Sequence, residues 1–202
     1  GNNDGRLSTT GSASDSTSQS AASESTSSPV EYTSSAEVKE LSAVEVADKA
    51  RKSVVGVMTY ASGKLSGEGS GVAMARDKSG KYTYILTCAH VISEKNVTYR
   101  IQTLEAKTYE ASLVAYDTRT DIGVLKVEAT DIPIAELGDS TTLKVGETVY
   151  AIGNPGGSEY FGSMTDGIIS AIDRSVSSTY TMTCIQHNAA INPGNSGGAL
   201  VN

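Results

Sequence analysis

The chain has 202 residues and a mass of 20.9 kDa, enough for one ordinary domain or for a smaller domain with a long tail. Its net charge of −7, its pI near 4.8 and the scatter of its 16 basic residues exclude the clustered basic surface that nucleic-acid partners require. No window approaches a membrane-spanning apolar run, and the N-terminus lacks the basic-then-apolar pattern of a signal peptide.

Residues 1–36 are dominated by Ser and Thr, with scattered acids and almost no large apolar side chain. Such a stretch cannot bury enough surface to offset its ordering entropy, so it reads as a disordered linker, with a phosphorylated or glycosylated stalk as the alternative. A tail of this kind could follow a membrane anchor upstream of Gly1. Next, Val38, Leu41, Val44, Val46 and Ala50 recur at roughly helical spacing, which predicts a short helix leading into a strand at Ser53.

From there, brief strands alternate with Gly, Asp and Asn turns: "SVVGVMTY", "YTYILTCA", "VTYRIQT", "EASLVAY", "DIGVLKV", "ETVYAIG", "MTDGIISAID", "TMTCIQHN" and "GALVN". Many short strands with no long second helix predict an all-β antiparallel barrel or sandwich. "LGDSTTLKVGE" reads as an exposed connection that divides a helix plus first β-rich half over residues 37–139 from a second half over 140–202. Cys88 and Cys184 are too far apart in sequence for a CxxC redox or zinc motif. They read as small buried hydrophobes, with a disulfide between them as the alternative.

The chemistry centres on "PGNSGG", where Ser196 stands among glycines between two apolar segments. A serine hydroxyl needs a base to take its proton, and the base needs a partner to hold its tautomer. The chain has two histidines. His90 closes the apolar run "YILTCAHVI", where an imidazole can project into a cleft, and the pattern favours it over His187, nine residues before Ser196. Asp117, Asp121 and Asp131 are the candidate carboxylates. Asp121 directly precedes "IGVLKV", at a strand mouth, whereas Asp117 reads as a turn former and Asp131 as a loop residue before Pro133. A tight glycine loop can aim backbone N–H groups at a developing oxyanion, and Gly194 and Ser196, with Asn195 between them, are placed to do so.

"TCAHVI", "TRTDIGVLKV", "LGDSTTLKVGETVYAIGNPGG", "GIISAIDR" and "IQHNAAINPGNSGGALVN" together resemble the HtrA/Deg-type serine proteases, in order and approximate spacing, from about Ser53 to Asn202. The resemblance implies a chymotrypsin-like double β-barrel, a triad of His90, Asp121 and Ser196, and an oxyanion hole from the Gly194–Ser196 loop. The order His, Asp, Ser differs from those of α/β-hydrolases and subtilisins. The resemblance also implies an endopeptidase of protein quality control that acts on unfolded proteins or peptides outside the cytoplasm, as a homo-oligomer, a trimer in the family, with no metal or organic cofactor. Ala190, Ile191, Asn192 and Pro193 resemble the wall of the primary specificity pocket and imply cleavage after aliphatic residues. The chain departs from the family's common pattern with Cys88 for Asn, Gly123 for Ala, Asn188 for Asp and Ala199 for Pro. The implied second barrel has about six strands, of which roughly two are not accounted for by residues 140–202. A poorly held triad and little activity are therefore expected of this chain, and a PDZ domain often follows in the family. The rival readings are a peptide-binding, chaperone-like module with a poorly aligned triad, and a catalytically dead scaffold.

Overall fold

The computed structural model describes residues 40–154, 157–175 and 182–202. The linker assigned to residues 1–36 lies outside the described residues, as does Val38 of the expected helix. The helix, α1, runs over Ala43–Ala50. Ser42 starts it with a capping box: its side chain accepts from the Glu45 N–H at 3.3 Å, and its own N–H donates to Glu45 Oε2 at 2.8 Å. Only Val46 of this helix is buried, so α1 is a surface helix held by one contact stripe. Among the described residues no helix is long and apolar enough to cross a membrane.

Six strands follow, β1 (Val54–Ala61), β2 (Lys64–Arg76), β3 (Tyr82–Cys88), β4 (Val97–Gln102), β5 (Thr108–Asp117) and β6 (Ile122–Glu128), with a four-residue helix α2 (Ala89–Ile92) between β3 and β4. They close into an antiparallel barrel in the order β1-β2-β3-β6-β5-β4. Alternation sends Val55 and Val57, Ile85, Ile101, and Leu125 and Val127 inward, each no more than 1% exposed, and Ile92 and Ile132 from outside the strands join the same core. Each such side chain contributes about 1.5–3 kcal/mol by leaving water.

β2 carries no strand expectation from sequence, yet it is the longest strand at 13 residues. Its glycines hid it, because they weaken any apolar alternation. Packing explains one of them: a Cβ on Gly71 would lie 2.5 Å from Ile85 Cγ2 and 3.1 Å from Val57 Cγ2.

The connection to the second half lies along β2. Ala135 N–H donates to the Ala73 carbonyl at 2.8 Å and Arg76 Nη2 to the Ile132 carbonyl at 2.7 Å. The segment around "LGDSTTLKVGE" is exposed apart from Leu143 and Glu147, and Asp139 caps its single turn over Ser140–Thr142. Four more strands, β7 (Thr148–Gly153), β8 (Ser163–Arg174), β9 (Cys184–His187) and β10 (Ala199–Val201), form a sheet in the order β10-β7-β8-β9. Val149, Ile152 and Ile169 are its best-buried side chains. The fold is all-β, of the chymotrypsin-like two-barrel kind, with the first barrel closed and the second an open sheet. Both cysteines are free, half-buried thiols, so the alternative of a Cys88–Cys184 disulfide does not hold.

Candidate active site

His90 is the second residue of α2, two residues past the end of β3, and not on the strand itself. Asp121 directly precedes β6 at φ +55°, a left-handed conformation that Asp tolerates better than most residues. This turn lets one residue hold three groups. The Asp121 carbonyl accepts from Ala89 N–H at 3.0 Å, its Oδ1 from His90 N–H at 2.9 Å, and its Oδ2 faces His90 Nδ1 at 2.8 Å. A carboxylate against Nδ1 assigns the hydrogen to that nitrogen and leaves Nε2 with a free lone pair. The Asp121 side chain is 20% exposed and that of His90 55%, so the base faces the cleft while its anchor is largely covered.

The other two carboxylates lie elsewhere in function. Asp117 caps its own turn, accepting from Arg119 N–H at 2.9 Å, and this bond holds its carboxyl below the usual range. Asp131 accepts from Lys107 Nζ and Tyr109 Oη, each at 2.6 Å, and the Lys107 bond is the main cause of its lowered pKa. Among the described residues neither is bonded to a histidine. His187 ends β9 opposite Ile169, and its Nδ1 is buried without a partner among the described residues.

Ser196 sits in a loop shaped by two positive-φ glycines, Gly194 at +98° and Gly197 at +87°. Asn195 N–H donates to Asn192 O at 3.1 Å and Gly198 N–H to Asn195 O at 2.9 Å. The Asn195 amide is thus used within the turn. The amides of Gly194 and Ser196 donate to no group among the described residues, which leaves two free donors flanking the hydroxyl. A Cβ on Gly197 would overlap the Ser70 carbonyl oxygen and lie 3.1 Å from Cys88 N, so the loop presses against the middle of β2 and the end of β3 with no room for a side chain.

That close approach is held by residues the sequence reading missed. Ser70 N–H donates to Ser196 O at 2.8 Å, and Ser70 Oγ donates to Gly194 O at 2.8 Å. The same Oγ accepts from Asn154 N–H at 2.9 Å and stands 3.2 Å from Asn154 Nδ2. Thr87 Oγ1 donates to Ser70 O at 2.7 Å, and Asn154 Oδ1 accepts from Gly162 N–H at 2.8 Å. Ser70, Thr87 and Asn154 are all buried, so this polar network links β2 and β3 to the nucleophile loop and to the end of β7. The available signal was a small polar residue between glycines in "GEGSGVAMA". Among the described residues Ser196 Oγ makes no hydrogen bond to His90, a distance that in related chemistry commonly closes only with substrate bound.

Ala190, Ile191, Asn192 and Pro193 are exposed, and Thr165 Oγ1 donates to the Ala190 carbonyl at 2.9 Å. Of the four, Ile191 lines a cavity of about 100 Å³ with Ala151, Ile152, His187, Asn195 and Leu200. Asn188 Oδ1 accepts from Ile168 N–H at 2.8 Å, extending the β8–β9 pairing by one side chain. That bond needs only an acceptor oxygen, so Asn serves there as Asp would. Gly123 meets Ile92, whose Cδ1 would lie 2.5 Å from an added Cβ. Cys88 lies beside Asp121; burial first, then the Asp121 charge, pushes its thiol up to about 11. It is protonated at neutral pH and is no rival nucleophile.

Residues 69–202 match the family model of the trypsin-like peptidase domain. A "Probable periplasmic serine endoprotease DegP-like" from Marinomonas sp. is 44% identical over 140 residues, covering 69% of this chain and 28% of its own length. A "Serine protease Do-like HtrA" from Lactobacillus helveticus is 46% identical over 146 residues, covering 70% and 35%. Among solved structures, the serine endoprotease from Yersinia pestis superposes with a TM-score of 0.68 at 36% identity, covering 81% of this chain and 54% of that one. An HtrA-type protease, AlgW, with a tripeptide gives 0.68 at 34%, covering 78% and 49%. The chain thus spans roughly a third of these curated relatives and half of these solved chains.

Proposed function

The chain belongs to the trypsin-like serine peptidases of the HtrA/DegP type, and from that premise we propose that it is a serine endopeptidase working through an acyl-enzyme. The observation that carries the reading is the doubly held His90: ring and backbone are both bonded to Asp121, at 2.8 and 2.9 Å. Ser196 Oγ attacks the scissile carbonyl as His90 Nε2 takes its proton. Asp121 stabilises the resulting imidazolium through Nδ1, and the Gly194 and Ser196 amides receive the oxyanion. His90 then hands the proton to the leaving amine, and water releases the acyl group by the same route.

Unfolded or misfolded proteins are the proposed substrates, with an aliphatic residue before the cleaved bond. The apolar Ile191, Ala151 and Ile152 around the small cavity support that preference. One methylene more or less would change the rate by about ten- to two-hundredfold. Relatives named as periplasmic support action outside the cytoplasm, and a homo-oligomer, a trimer as in the family, belongs to the same proposal. The isolated chain is expected to turn over slowly, because Ser196 lies beside a three-residue edge strand of an open sheet. A loosening of about 1 Å costs on the order of a hundredfold in rate.

The second reading, a chaperone-like peptide-binding module, draws support from the missing Ser196–His90 hydrogen bond among the described residues. A fluorophosphonate probe separates the two. Labelling of Ser196 that disappears in His90→Ala is expected of the peptidase. No labelling, with unfolded-protein binding retained, would favour the chaperone reading.

A further inference from the structure

Three different metal-ligating groups converge at the base. The Cys88 sulfur, a His90 ring nitrogen and an Asp121 carboxylate oxygen all lie within 4.8 Å of one another. Each is fixed by a separate piece of backbone: Cys88 is the last residue of β3, in register with Ile122, His90 stands in α2, and Asp121 occupies its left-handed turn. The triad reading uses the imidazole and the carboxylate and has no role for the thiol.

The donor set is selective. Thiolate with imidazole disfavours calcium and magnesium and suits borderline-soft ions such as zinc. A tetrahedral zinc ion with bonds of about 2.0–2.3 Å needs ligand atoms about 3.3–3.8 Å apart, so the group has to adjust by no more than about 1 Å. Part of that adjustment is the His90–Asp121 contact, which must open by about 0.5 Å from its 2.8 Å. An outer contact to hold the ligands is present: His90 N–H holds Asp121 Oδ1 at 2.9 Å. Cys88 is half-buried and His90 is more than half exposed, so an ion can enter from the cleft and keep water in a fourth position.

We infer that Cys88, His90 and Asp121 form a zinc site whose occupation switches off the base. Three protein donors bind the ion: sulfur after its proton leaves to water, the Nδ1 lone pair, and a carboxylate oxygen. For Nδ1 to offer that lone pair, the ring proton must move to Nε2. The imidazole keeps one proton throughout, and one proton in total is released per ion bound. Nε2 now carries hydrogen and cannot accept the proton of Ser196. Inhibition therefore comes from reversal of the tautomer, without any contact between metal and serine. This consequence rests on the peptidase reading, whereas the site itself does not.

The test uses the full chain with Cys184→Ser, which leaves Cys88 as its one thiol. Cobalt serves as the spectroscopic probe. A thiolate-to-cobalt charge-transfer band is expected, bleached by one equivalent of zinc and abolished by adding Cys88→Ala or the size-conserving Cys88→Ser. Asp121→Asn should weaken cobalt binding by at least about tenfold to a hundredfold. Zinc should also suppress fluorophosphonate labelling of Ser196 and a chelator restore it, while in Cys88→Ser suppression should need at least about tenfold more zinc relative to that variant's own metal-free labelling. Absence of the band, or its survival in both Cys88 variants, would overturn the site. A band with labelling indifferent to zinc would overturn the switch. Absence of labelling without metal would count against the peptidase reading alone, and the cobalt band would still decide the site.

Discussion

The closed barrel and the open sheet are built from similar strands, but they differ in whether every strand is paired on both sides. In the barrel every strand has two neighbours, and Ile85, Ile101 and Leu125 are 0% exposed. Among the described residues the sheet has two edges, β10 pairing with β7 alone and β9 with β8 alone, although its inward Val149, Ile152 and Ile169 are no more than 2% exposed. His90 and Asp121 rest on the closed barrel, and Ser196 rests on the open sheet. Alignment of the three groups therefore depends on how the sheet's loop is tied to the barrel. The ties run through Ser70, Thr87 and Gly197, which lie outside the triad.

The sharpest contrast is chemical. Ser196→Ala and His90→Ala should each lower hydrolysis of an unfolded protein by on the order of 10⁴-fold or more, and the double variant hardly further, because the groups act as a unit. A double variant losing the product of both single effects would show that barrel and sheet contribute independently. Core truncation comes next. Ile85→Ala, in the barrel, should cost about 2–5 kcal/mol in denaturant unfolding. Leu200→Ala, on the sheet edge, should cost well under about 2 kcal/mol, since its side chain is already partly in water. Equal costs would mean that the sheet's edge is as tightly packed as the barrel's interior.

Ser70→Ala probes the tie itself. It leaves the half-buried Gly194 carbonyl without its donor and the buried Asn154 amide without its acceptor, the latter at about 1–3 kcal/mol of stability. Activity should fall further than stability explains, measured as kcat/KM at temperatures where the variant is fully folded. Unchanged kcat/KM would show that the loop holds itself. The smallest effect concerns Cys88, whose thiol burial pushes up to about 11 from 9.0. In Cys184→Ser, alkylation at pH 8 should run roughly a hundredfold slower than for an exposed thiol and rise about tenfold per pH unit until pH approaches 11. The sign for folding follows: the unfolded thiol ionises first, so the contribution of this group is complete below about pH 9 and is lost as pH rises toward 11. Rapid alkylation at pH 8 would place Cys88 in water.

Much of the fold was legible in sequence because β-alternation and turn residues are local signals. β3, β4, β6 and β7 fall within a residue or two of their apolar runs, and the short helix lies inside its periodic segment. β2 escaped because its Gly67, Gly69 and Gly71 erase alternation. Two of them are there for what other parts of the chain bring close: Ile85 and Val57 at Gly71, and Val91 with the Ser196 carbonyl at Gly69.

Sequence alone determined the residue types that can do acyl transfer, since a hydroxyl, an imidazole and a carboxylate have their chemistry wherever they sit, and a chain with two histidines offers few bases. It also determined the glycines that let the Ser196 loop adopt positive φ. Tertiary structure decided which histidine and which of three aspartates meet, because that depends on β3 and β6 pairing Cys88 with Ile122 and so bringing His90 to Asp121. It alone set Ser70 and Asn154, 84 positions apart, into one hydrogen-bond network with the nucleophile loop. Local pattern carries no information about such contacts; burial and strand register create them.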